Sequence, residues 1–525
     1  SQVGQFSGEL ATAILMPEEA LGMSSVKIEL SRSIAGSLLE GLDYLTGFPY
    51  GCVEQTMSRA LPNAVVGRAL FQLGVGDPTL LVDLPPKINA GLQRLYGYQH
   101  NDGGWGWWYD DSTDGYQTAW VVFGLAVTAE AGYEVDPDVI QRGVDWLGEN
   151  LDEMNLRTRA YALYSMTMAG GGDLVAAQDL AEKLGELDTF SQAALALALH
   201  RLGADAGARR VLDYLVETAL VYDDVVTWSG ADYDGYYYRK TMASATRSTA
   251  LALSAFVQIS PDHELETGIV RWLMGQRRQQ GWGSTNETSF ALLALTDHLL
   301  ATQEATAETG YQVELNGEMI AAGTLGPGEP AVSLEIAAGD MATGLNSLQI
   351  RQTGGGRLYY VISSRVYLPR KEIEPAGVID VSRSYLDLRS GEPITTAEPG
   401  QLIRVSLVVT MEERGAFIIV EDNLPGGLEA LNEGLNTTSH VGGAQEGPRY
   451  YWEDYGYNQK EVYGDRVTFF ITELEEGRHV YTYVARATHA GEFVALPAEV
   501  SAMYDLTTWG RSASAELAIA VPEME

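Results

Sequence analysis

The sequence has only one cysteine, Cys52, in 525 residues. No intramolecular disulfide can form, so burial of apolar surface must hold the domains together, and an extracellular disulfide scaffold is excluded. Long apolar runs are also missing. The longest stretches, such as 118–127 and 249–259, are shorter than the ~20 residues that a spanning helix needs, so we expect no transmembrane segment.

Basic residues are scarce as well. Lys and Arg total 34 against 71 for Asp and Glu, which gives a formal net charge of −37. A field of this sign repels phosphate backbones and anionic lipid, so we expect neither nucleic acid nor a membrane surface as a partner. The 7 histidines are scattered and form no His-Glu-Xaa-Xaa-His pattern, so we expect no metal site.

What is present is an ordinary globular composition, with 46% hydrophobic and 20% charged residues. The length suits roughly three or four domains. Residues 8–30 carry short apolar groups around Pro17 and Gly22, which is typical of two strands and a turn. From residue 33 to about 302 the apolar spacing becomes 3 to 4, which predicts α-helices.

An internal repeat lies within this helical region. Gln99–Gly106 contains Gly-Gly-Trp-Gly, Gln276–Gly283 ends in Gly-Trp-Gly, and each copy precedes a helix rich in Ala and Leu. Units of helix, Gly-Trp turn and helix cannot bury their apolar faces singly and usually close into a stack or ring. We therefore predict a toroid of helical hairpins over 33–302.

After residue 303 the pattern changes to strands. Tyr311–Leu315 is followed by Asn316-Gly317, which is a hairpin signal. Further strand-like segments follow at sandwich spacing, at 402–410, 416–421, 466–472 and 479–487. Because strands precede and follow the helices, we predict that the ring is inserted in one β-domain made of 1–32 and 303–370.

The chemically distinctive segment is Gly51-Cys52-Val53-Glu54-Gln55. If a helical turn begins here, Cys52 and Gln55 share a face of the helix. The cysteine sulfur can then attack the Gln55 side-chain carbonyl and expel ammonia, which closes an internal thioester. A lone cysteine is more often inert packing, and the short segment by itself does not overturn that alternative.

The longer segment 48–56, Phe-Pro-Tyr-Gly-Cys-Val-Glu-Gln-Thr, resembles the thioester motif of the alpha-2-macroglobulin and complement superfamily, its bacterial branch in particular. The stretches 483–488, 504–505 and 510–513 are similar to the terminal domain of the bacterial members. The likeness covers essentially the whole chain.

The resemblance implies a multidomain fold with α and β parts. An α/α toroid thioester domain (33–302) would be inserted in a CUB-type β-sandwich domain (1–32 and 303–370). A C-terminal macroglobulin-like β-sandwich domain of the receptor-binding type (371–525) would follow.

It also implies a function in host defence: a broad-spectrum protease-trapping inhibitor, not an enzyme, whose Cys52–Gln55 thioester captures proteases through lysine amines. No cofactor is implied. Phe48 and Tyr50 would screen the thioester from water, with ordinary aromatic packing as an equal alternative for each ring. Bacterial relatives are exported to the periplasm or cell surface and often lipid-anchored. Complete members carry further macroglobulin domains and a bait region, which we expect upstream of this chain.

One feature of complement-type members is missing. Their imidazole relay to hydroxyls uses a histidine that would fall within 150–175 here, and that stretch has none. We therefore expect direct attack by amines. His200 and His263 are the distant histidines that the curvature of the ring would have to bring to the site.

Two rival classes stay open. Asp110-Asp111-Ser112-Thr113-Asp114 matches the Asp-Asp-Xaa-Xaa-Asp pattern that binds magnesium diphosphate in prenyltransferases, and helical toroids also occur in terpene cyclases. The run lacks a basic neighbour, which favours a solvated loop. A non-covalent adhesion or scaffold module is the other class. The aromatic segment 233–238 with Trp228 indicates packing or a domain interface, with carbohydrate binding as a minor alternative.

Overall fold

The computed structural model divides the chain into two compact units, residues 1–369 and 370–525. It describes residues 2–32, 34, 38, 51–73, 78–231, 242–278, 281–302, 308–326, 331–354, 358–369, 372–432 and 456–520, with the backbone alone for 70–73 and 78–83. Among these residues, no helix is both long and apolar enough to cross a membrane.

The described part of the first unit contains eleven α-helices and ten strands. The helices are α1 (Val53–Leu73), α2 (Pro78–Tyr98), α3 (Gly115–Glu130), α4 (Pro137–Asn150), α5 (Leu156–Met168), α6 (Leu174–Ala181), α7 (Thr189–Arg201), α8 (Asp205–Glu217), α9 (Ala245–Ile259), α10 (Glu266–Gln276) and α11 (Thr285–Thr302). The strands are β1 (Gln2–Phe6), β2 (Glu9–Met16), β3 (Ser25–Ser31), β4 (Leu220–Tyr222), β5 (Val225–Thr227), β6 (Thr309–Leu315), β7 (Glu318–Leu325), β8 (Ala331–Ala337), β9 (Gly344–Gly354) and β10 (Leu358–Arg365).

The helices close into a ring of two layers. The inner layer is α1, α3, α5, α7, α9 and α11, in which each helix packs on the next and α11 packs back on α1. The outer helices α2, α4, α8 and α10 pack on α1, α3, α7 and α9, and α6 packs on α5 and α7. The toroid predicted from the repeat is confirmed.

Burial explains which helices lie inside. The inner helix α7 buries every residue from Phe190 to Leu199. The outer helix α8 buries only a stripe at i, i+3, i+4 and i+7, namely Ala208, Val211, Leu212 and Leu215. A helix that is apolar on all sides needs neighbours all round, whereas an amphipathic helix covers it from one side and faces water on the other.

The inner helices begin at one face of the ring, here called the N-terminal face. Arg247 in the first turn of α9 donates to the Tyr116 hydroxyl of α3 at 3.3 Å and lies over the Phe190 ring of α7, 4.3 Å from its centroid. The Thr285 hydroxyl of α11 donates to the Glu54 carboxylate of α1 at 3.4 Å. First turns from around the ring therefore meet at this face.

The inner helices end at the opposite, C-terminal face. Glu130 and Arg201, the last residues of α3 and α7, form an ion pair there at 3.1 Å. Between the two faces, aromatic rings from inner helices fill the axis of the ring, with centroids 4.9 to 6.5 Å apart. This aromatic plug consists of Tyr116, Trp120, Phe123, Tyr161, Phe190 and Phe290.

Three buried tryptophans repeat one set of contacts between an outer helix and the next inner helix. Each indole N–H donates to a carbonyl in the last turn of the outer helix, and each backbone N–H donates to a threonine hydroxyl of the inner helix. The sets are Trp105 with Leu95 and Thr118, Trp228 with Leu215 and Thr249, and Trp282 with Leu273 and Thr288, with indole-to-carbonyl distances of 2.8, 2.9 and 2.7 Å. The last carbonyls of a helix have no donor within the helix, and each indole N–H supplies one of them with a donor.

The strands of the first unit form two four-stranded sheets, ordered β1-β10-β3-β8 and β2-β9-β6-β7, with a separate β4-β5 pair beside the helices. Gln2 pairs with Ile362 and Glu9 with Arg351, so strands before the helical ring join strands after it. Apolar side chains from both sheets, including Ile28 and Val313, form one core. The predicted insertion of the toroid in a β-sandwich is confirmed, and so is the hairpin at Asn316-Gly317, where both residues have positive φ.

The described part of the second unit is all-β. Its strands are β11 (Ala376–Gly377), β12 (Asp380–Asp387), β13 (Thr396–Ala397), β14 (Leu402–Met411), β15 (Gly415–Asn423), β16 (Leu428–Ala430), β17 (Gln459–Val462), β18 (Arg466–Leu474), β19 (Gly477–Ala487), β20 (Gly491–Ala495), β21 (Ala498–Ala502), β22 (Asp505–Arg511) and β23 (Ala515–Ile519). They form sheets ordered β11-β22-β21-β15-β18-β17, β12-β14-β19-β16 and β13-β23-β20 around one core. Alternate residues of β14 are buried, as the period of two predicts for a sandwich strand.

Candidate functional site

Cys52 and Gln55 lie at the start of α1, on the N-terminal face of the ring. The Val53 N–H donates to the Trp107 carbonyl at 3.0 Å, and the Thr56 N–H donates to the Cys52 carbonyl at 3.0 Å. The first bond fixes the helix start to the loop before α3, and the second closes the first turn. Cys52 is 1% exposed and Gln55 6% exposed, so the predicted pair lies on one turn and away from bulk water.

The Gln55 carboxamide folds back against Gly51. Gly51 has φ +95°, and a Cβ built there would lie 1.9 Å from Gln55 Oε1 and 3.0 Å from Gln55 Cδ. A residue other than glycine would be strained by this φ and would collide with the carboxamide. The glycine of the motif is therefore required by its φ and by the Gln55 carboxamide that lies against it.

The Gln55 side-chain oxygen is buried without a hydrogen-bond partner among the described residues. A buried amide oxygen normally has a donor, and its absence costs about 1–3 kcal/mol. No described residue polarises this carbonyl.

Two side chains of α2 hold the backbone just before the cysteine. The Gly51 carbonyl accepts from Arg94 Nη2 at 2.9 Å and from the Tyr98 hydroxyl at 3.3 Å, and Arg94 also donates to the Tyr98 hydroxyl at 2.8 Å. Sequence analysis missed this clamp, because Arg94 and Tyr98 lie more than 40 residues after Gly51 and match no motif.

Glu54, inside the motif, is completely buried. Its carboxylate accepts hydrogen bonds from the Ser58 hydroxyl one turn along α1 and from the Thr285 hydroxyl of α11 at 3.4 Å. It therefore connects the first and last inner helices at the point where the ring closes, immediately beside Cys52.

Phe48 and Tyr50, the predicted shielding residues, lie outside the described residues, and their role stays a prediction. The curvature of the ring does not bring His200 or His263 to the site. His200 is in the last turn of α7 with its Nδ1 2.9 Å from Asp205, and His263 follows the end of α9. Both belong to the C-terminal face, about 15 Å along the helix axes from the first turns.

The acidic run 110–114 is a loop followed by a helix cap. The Asp111 carboxylate accepts from the backbone N–H groups of Trp107 and Trp108 at 2.9 and 3.1 Å, and burial raises the pKa of Asp111 to about 6. Asp114 caps α3 by accepting from the Gln117 N–H at 2.8 Å. Two of the three carboxylates thus bind the chain itself, and the described residues contain no cluster of metal-binding side chains.

Of the predicted aromatic cluster, the structure describes Trp228. Trp228 is 1% exposed and belongs to the tryptophan repeat described above, so it packs between helices and is not available to a carbohydrate. Residues 233–238 lie outside the described residues.

Family models match both units. A model described as the A-macroglobulin TED domain matches residues 24–175 and 175–298, about half of the chain. A model described as the bacterial alpha-2-macroglobulin MG10 domain matches residues 379–505. The chain belongs to the bacterial alpha-2-macroglobulin family, which confirms the resemblance and the fold class predicted from the sequence.

Individual relatives are alpha-2-macroglobulins as well. The chain is 30% identical to an alpha-2-macroglobulin of Thermotoga maritima over 273 residues, 52% of this chain and 15% of that protein. It is 24% identical to the alpha-2-macroglobulin of Escherichia coli over 497 residues, 90% of this chain and 28% of that protein. The chain therefore spans less than a third of the length of these relatives.

Solved structures share the fold. Native Escherichia coli alpha-2-macroglobulin from domain MG7 to the C terminus matches with a TM-score of 0.76 and 21% identity, over 99% of this chain and 82% of that one. Salmonella alpha-2-macroglobulin reacted with methylamine matches with a TM-score of 0.74 and 22% identity, over 99% of this chain and 34% of that one.

Proposed function

We propose that this chain is the thioester-bearing portion of a protease-trapping inhibitor, in which Cys52 Sγ is bonded to Gln55 Cδ. The observation that carries the proposal is the Gln55 carboxamide, which is buried and folded over Gly51 within the first turn of α1, three residues after the buried Cys52. Membership of the alpha-2-macroglobulin family supports the class of function.

The bond forms without a cofactor. The Cys52 sulfur attacks Gln55 Cδ, the C–N bond breaks, and the amide nitrogen leaves as ammonia with the thiol proton. Burial of both side chains keeps water away from the product. The Gln55 carbonyl oxygen lacks a hydrogen-bond donor in the described part of the chain, so none of the described residues would stabilise an oxyanion during hydrolysis.

The protease is captured by aminolysis of the thioester. When the site is opened, an unprotonated lysine amine of the attacking protease adds to Gln55 Cδ, the C–S bond breaks, and an amide forms while the Cys52 thiol is released. His200 and His263 are at the C-terminal face, and both ring nitrogens of His100, in the loop before α3, are hydrogen-bonded to Thr113 and Trp108. We therefore expect direct attack on the thioester, in which an amine is a stronger nucleophile than a hydroxyl. The Salmonella relative is described as reacted with methylamine, which supports reaction with an amine.

In the complete inhibitor, domains and a bait segment beyond this chain would shield the site until a protease cuts the bait. This chain covers only 15% and 28% of two relatives, which supports the presence of further domains in the complete protein. The same proposal implies an exported protein, in the periplasm or at the cell surface, where foreign proteases are met.

Intact-mass spectrometry combined with thiol titration under denaturing conditions tests the thioester. We expect a mass one ammonia below the sequence mass and no titratable thiol. Methylamine treatment should then release one thiol and add methylamine at Gln55. A protein of full sequence mass with a reactive thiol would support an adhesion or scaffold module instead.

The nucleophile is tested by incubating the chain with labelled methylamine and labelled glycerol at matched concentration, followed by peptide mapping. We expect an amide at Gln55 and little ester. Cys52→Ala should fold normally and form no adduct, since the sulfur is needed for its chemistry and not for its volume. Adducts that resist denaturant in Cys52→Ala would show that the thioester assignment is wrong.

A further inference from the structure

A cavity of about 490 Å³ lies in the ring at the end opposite Cys52. All six inner helices of the described ring contribute to its lining. Its deepest wall is formed by Phe123 and Phe290 of the aromatic plug, which are 5% and 2% exposed, and its rim includes the exposed Leu300 of α11. The cavity is therefore closed at the plug and open at the C-terminal face, and its volume suits a small organic molecule.

One carboxylate is directed into this cavity. Asp297 of α11 accepts on Oδ2 from Ser254 Oγ at 2.9 Å and from Gln258 Nε2 at 3.2 Å, both on α9. Neither donor carries a charge, and the described residues supply no cation within ion-pair distance of Asp297. The two donors fix the side chain through Oδ2, and no described residue donates to Oδ1.

The remaining charges of the cavity do not supply that partner. Arg201 is bound to Glu130 at the rim, at 3.1 Å, and Arg68 donates to the Glu130 backbone carbonyl at 2.6 Å. Among the described residues, the lining has two carboxylates, Asp297 and Glu130, and one guanidinium, Arg201. These groups give the lining one net negative charge. The net charge of −37 on the whole chain adds to the attraction for a cation.

The walls suit the body of an organic cation. Tyr164 of α5 joins Phe123 and Phe290 as an aromatic surface, and aliphatic side chains complete the lining. Aromatic faces attract cations and pack against flat or branched apolar groups. An inorganic cation would gain little here, because a hard metal ion needs several oxygen ligands and Asp297 is the only carboxylate outside the Glu130–Arg201 pair among the described residues that line the cavity.

We infer that this cavity is a binding site for a small organic cation, with the charged end on Asp297 Oδ1 and the apolar body against Tyr164, Phe123 and Phe290. The site is separated from Cys52 by the aromatic plug and does not depend on the thioester. The C-terminal face of the ring thus has a ligand-binding role that is separate from the thioester.

Benzylguanidine is a suitable probe, because its guanidinium is protonated at neutral pH and so does not react with a thioester as a free amine would. Benzylurea provides the neutral counterpart of the same shape, and 3-phenylpropionate the anionic one. Binding of each to the full chain is measured by isothermal titration calorimetry at pH 7.5. We expect saturable binding of benzylguanidine and at least about tenfold weaker binding of the other two, the size of a lost charge-assisted hydrogen bond.

Asp297→Asn keeps the shape and the acceptor for Ser254 but removes the charge, and we expect at least about a tenfold loss of benzylguanidine affinity. Asp145→Asn is the matched control, since Asp145 is exposed on α4 and also accepts from a glutamine amide, that of Gln141 at 2.8 Å. The Asp145→Asn chain should bind benzylguanidine with the same affinity as the unsubstituted chain. Cys52→Ala should bind the probe unchanged, which separates this site from the thioester.

The pH dependence gives a second readout. Burial raises the pKa of Asp297 to about 6, so benzylguanidine affinity should fall between pH 7.5 and 5 as the carboxylate takes up a proton. The other charged or titratable groups facing it are Glu130, Arg201 and Tyr164, and the pKa of Tyr164 is raised by burial and lies above this range.

Equal affinity for benzylguanidine and benzylurea would show an apolar crevice only and overturn the inference. Unchanged affinity in Asp297→Asn, or no binding at millimolar probe, would overturn it as well.

Discussion

Replacing Gly51 with alanine is the sharpest test of how the motif works. The φ of +95° at Gly51 is one that an L-residue with a side chain rarely adopts. The new Cβ would also lie 1.9 Å from Gln55 Oε1, far inside contact distance. The substitution therefore combines a backbone strain with a collision at the proposed thioester carbonyl.

The two effects have different magnitudes and different consequences. A left-handed φ costs an alanine about 1–2 kcal/mol of folding free energy. The collision cannot be relieved cheaply by the backbone, because Arg94 and Tyr98 hold the Gly51 carbonyl at 2.9 and 3.3 Å. The Gln55 carboxamide must move instead, and we expect this displacement to prevent closure of the thioester.

The control is Gly170→Ala in the loop after α5. Gly170 has φ +80°, and a Cβ there would meet no atom within 4 Å. Both variants should lose about 1–2 kcal/mol of unfolding free energy in urea. Intact mass and thiol titration should show the thioester in Gly170→Ala, and a full sequence mass with a titratable thiol in Gly51→Ala. A thioester in Gly51→Ala at the yield found in Gly170→Ala would refute the reasoning.

Three further predictions concern stability. Burial raises the pKa of Asp297 to about 6 from 3.8, so the folded chain holds this proton more tightly than the unfolded chain, and stability falls as pH rises through this interval. Asp297→Asn should therefore be more stable than the unsubstituted chain at pH 7.5, by about 2 kcal/mol in urea unfolding, and no more stable at pH 4; an equal gain at both pH values would contradict this. Trp228→Phe should lose about 0.5–1.5 kcal/mol, the net value of one hydrogen bond, because the Leu215 carbonyl loses the indole donor and keeps only the Thr218 hydroxyl at 3.3 Å. A thermal unfolding curve identical to that of the unsubstituted chain would show that the indole bond contributes nothing. In the second unit, Asp422→Asn leaves the 2%-exposed Arg383 without its counter-ion and should cost about 3–5 kcal/mol, measured as a lower urea midpoint for the β-sheet signal; an unchanged midpoint would mean that the pair is replaceable.

The sequence by itself determined the elements and the chemistry of this chain. The spacing of apolar residues separated helices from strands, because side-chain direction repeats every 3.6 residues in one and every 2 in the other. Asn316-Gly317 specified a hairpin turn, since both positions need positive φ. The segment 51–55 is local as well, so its glycine, cysteine and glutamine could be assigned roles before any partner was known.

Only the tertiary structure decided which elements meet, because a periodic pattern shows which face is buried and not what covers it. Arg94 and Tyr98 reach Gly51 through the packing of α2 on α1, and Gln2 pairs with Ile362 across the whole inserted ring. Trp228 belongs to the tryptophan repeat through its hydrogen bonds although the surrounding residues differ. The helix directions placed His200 at the far face and left Asp297 in a cavity, and neither position follows from residues near it in the sequence.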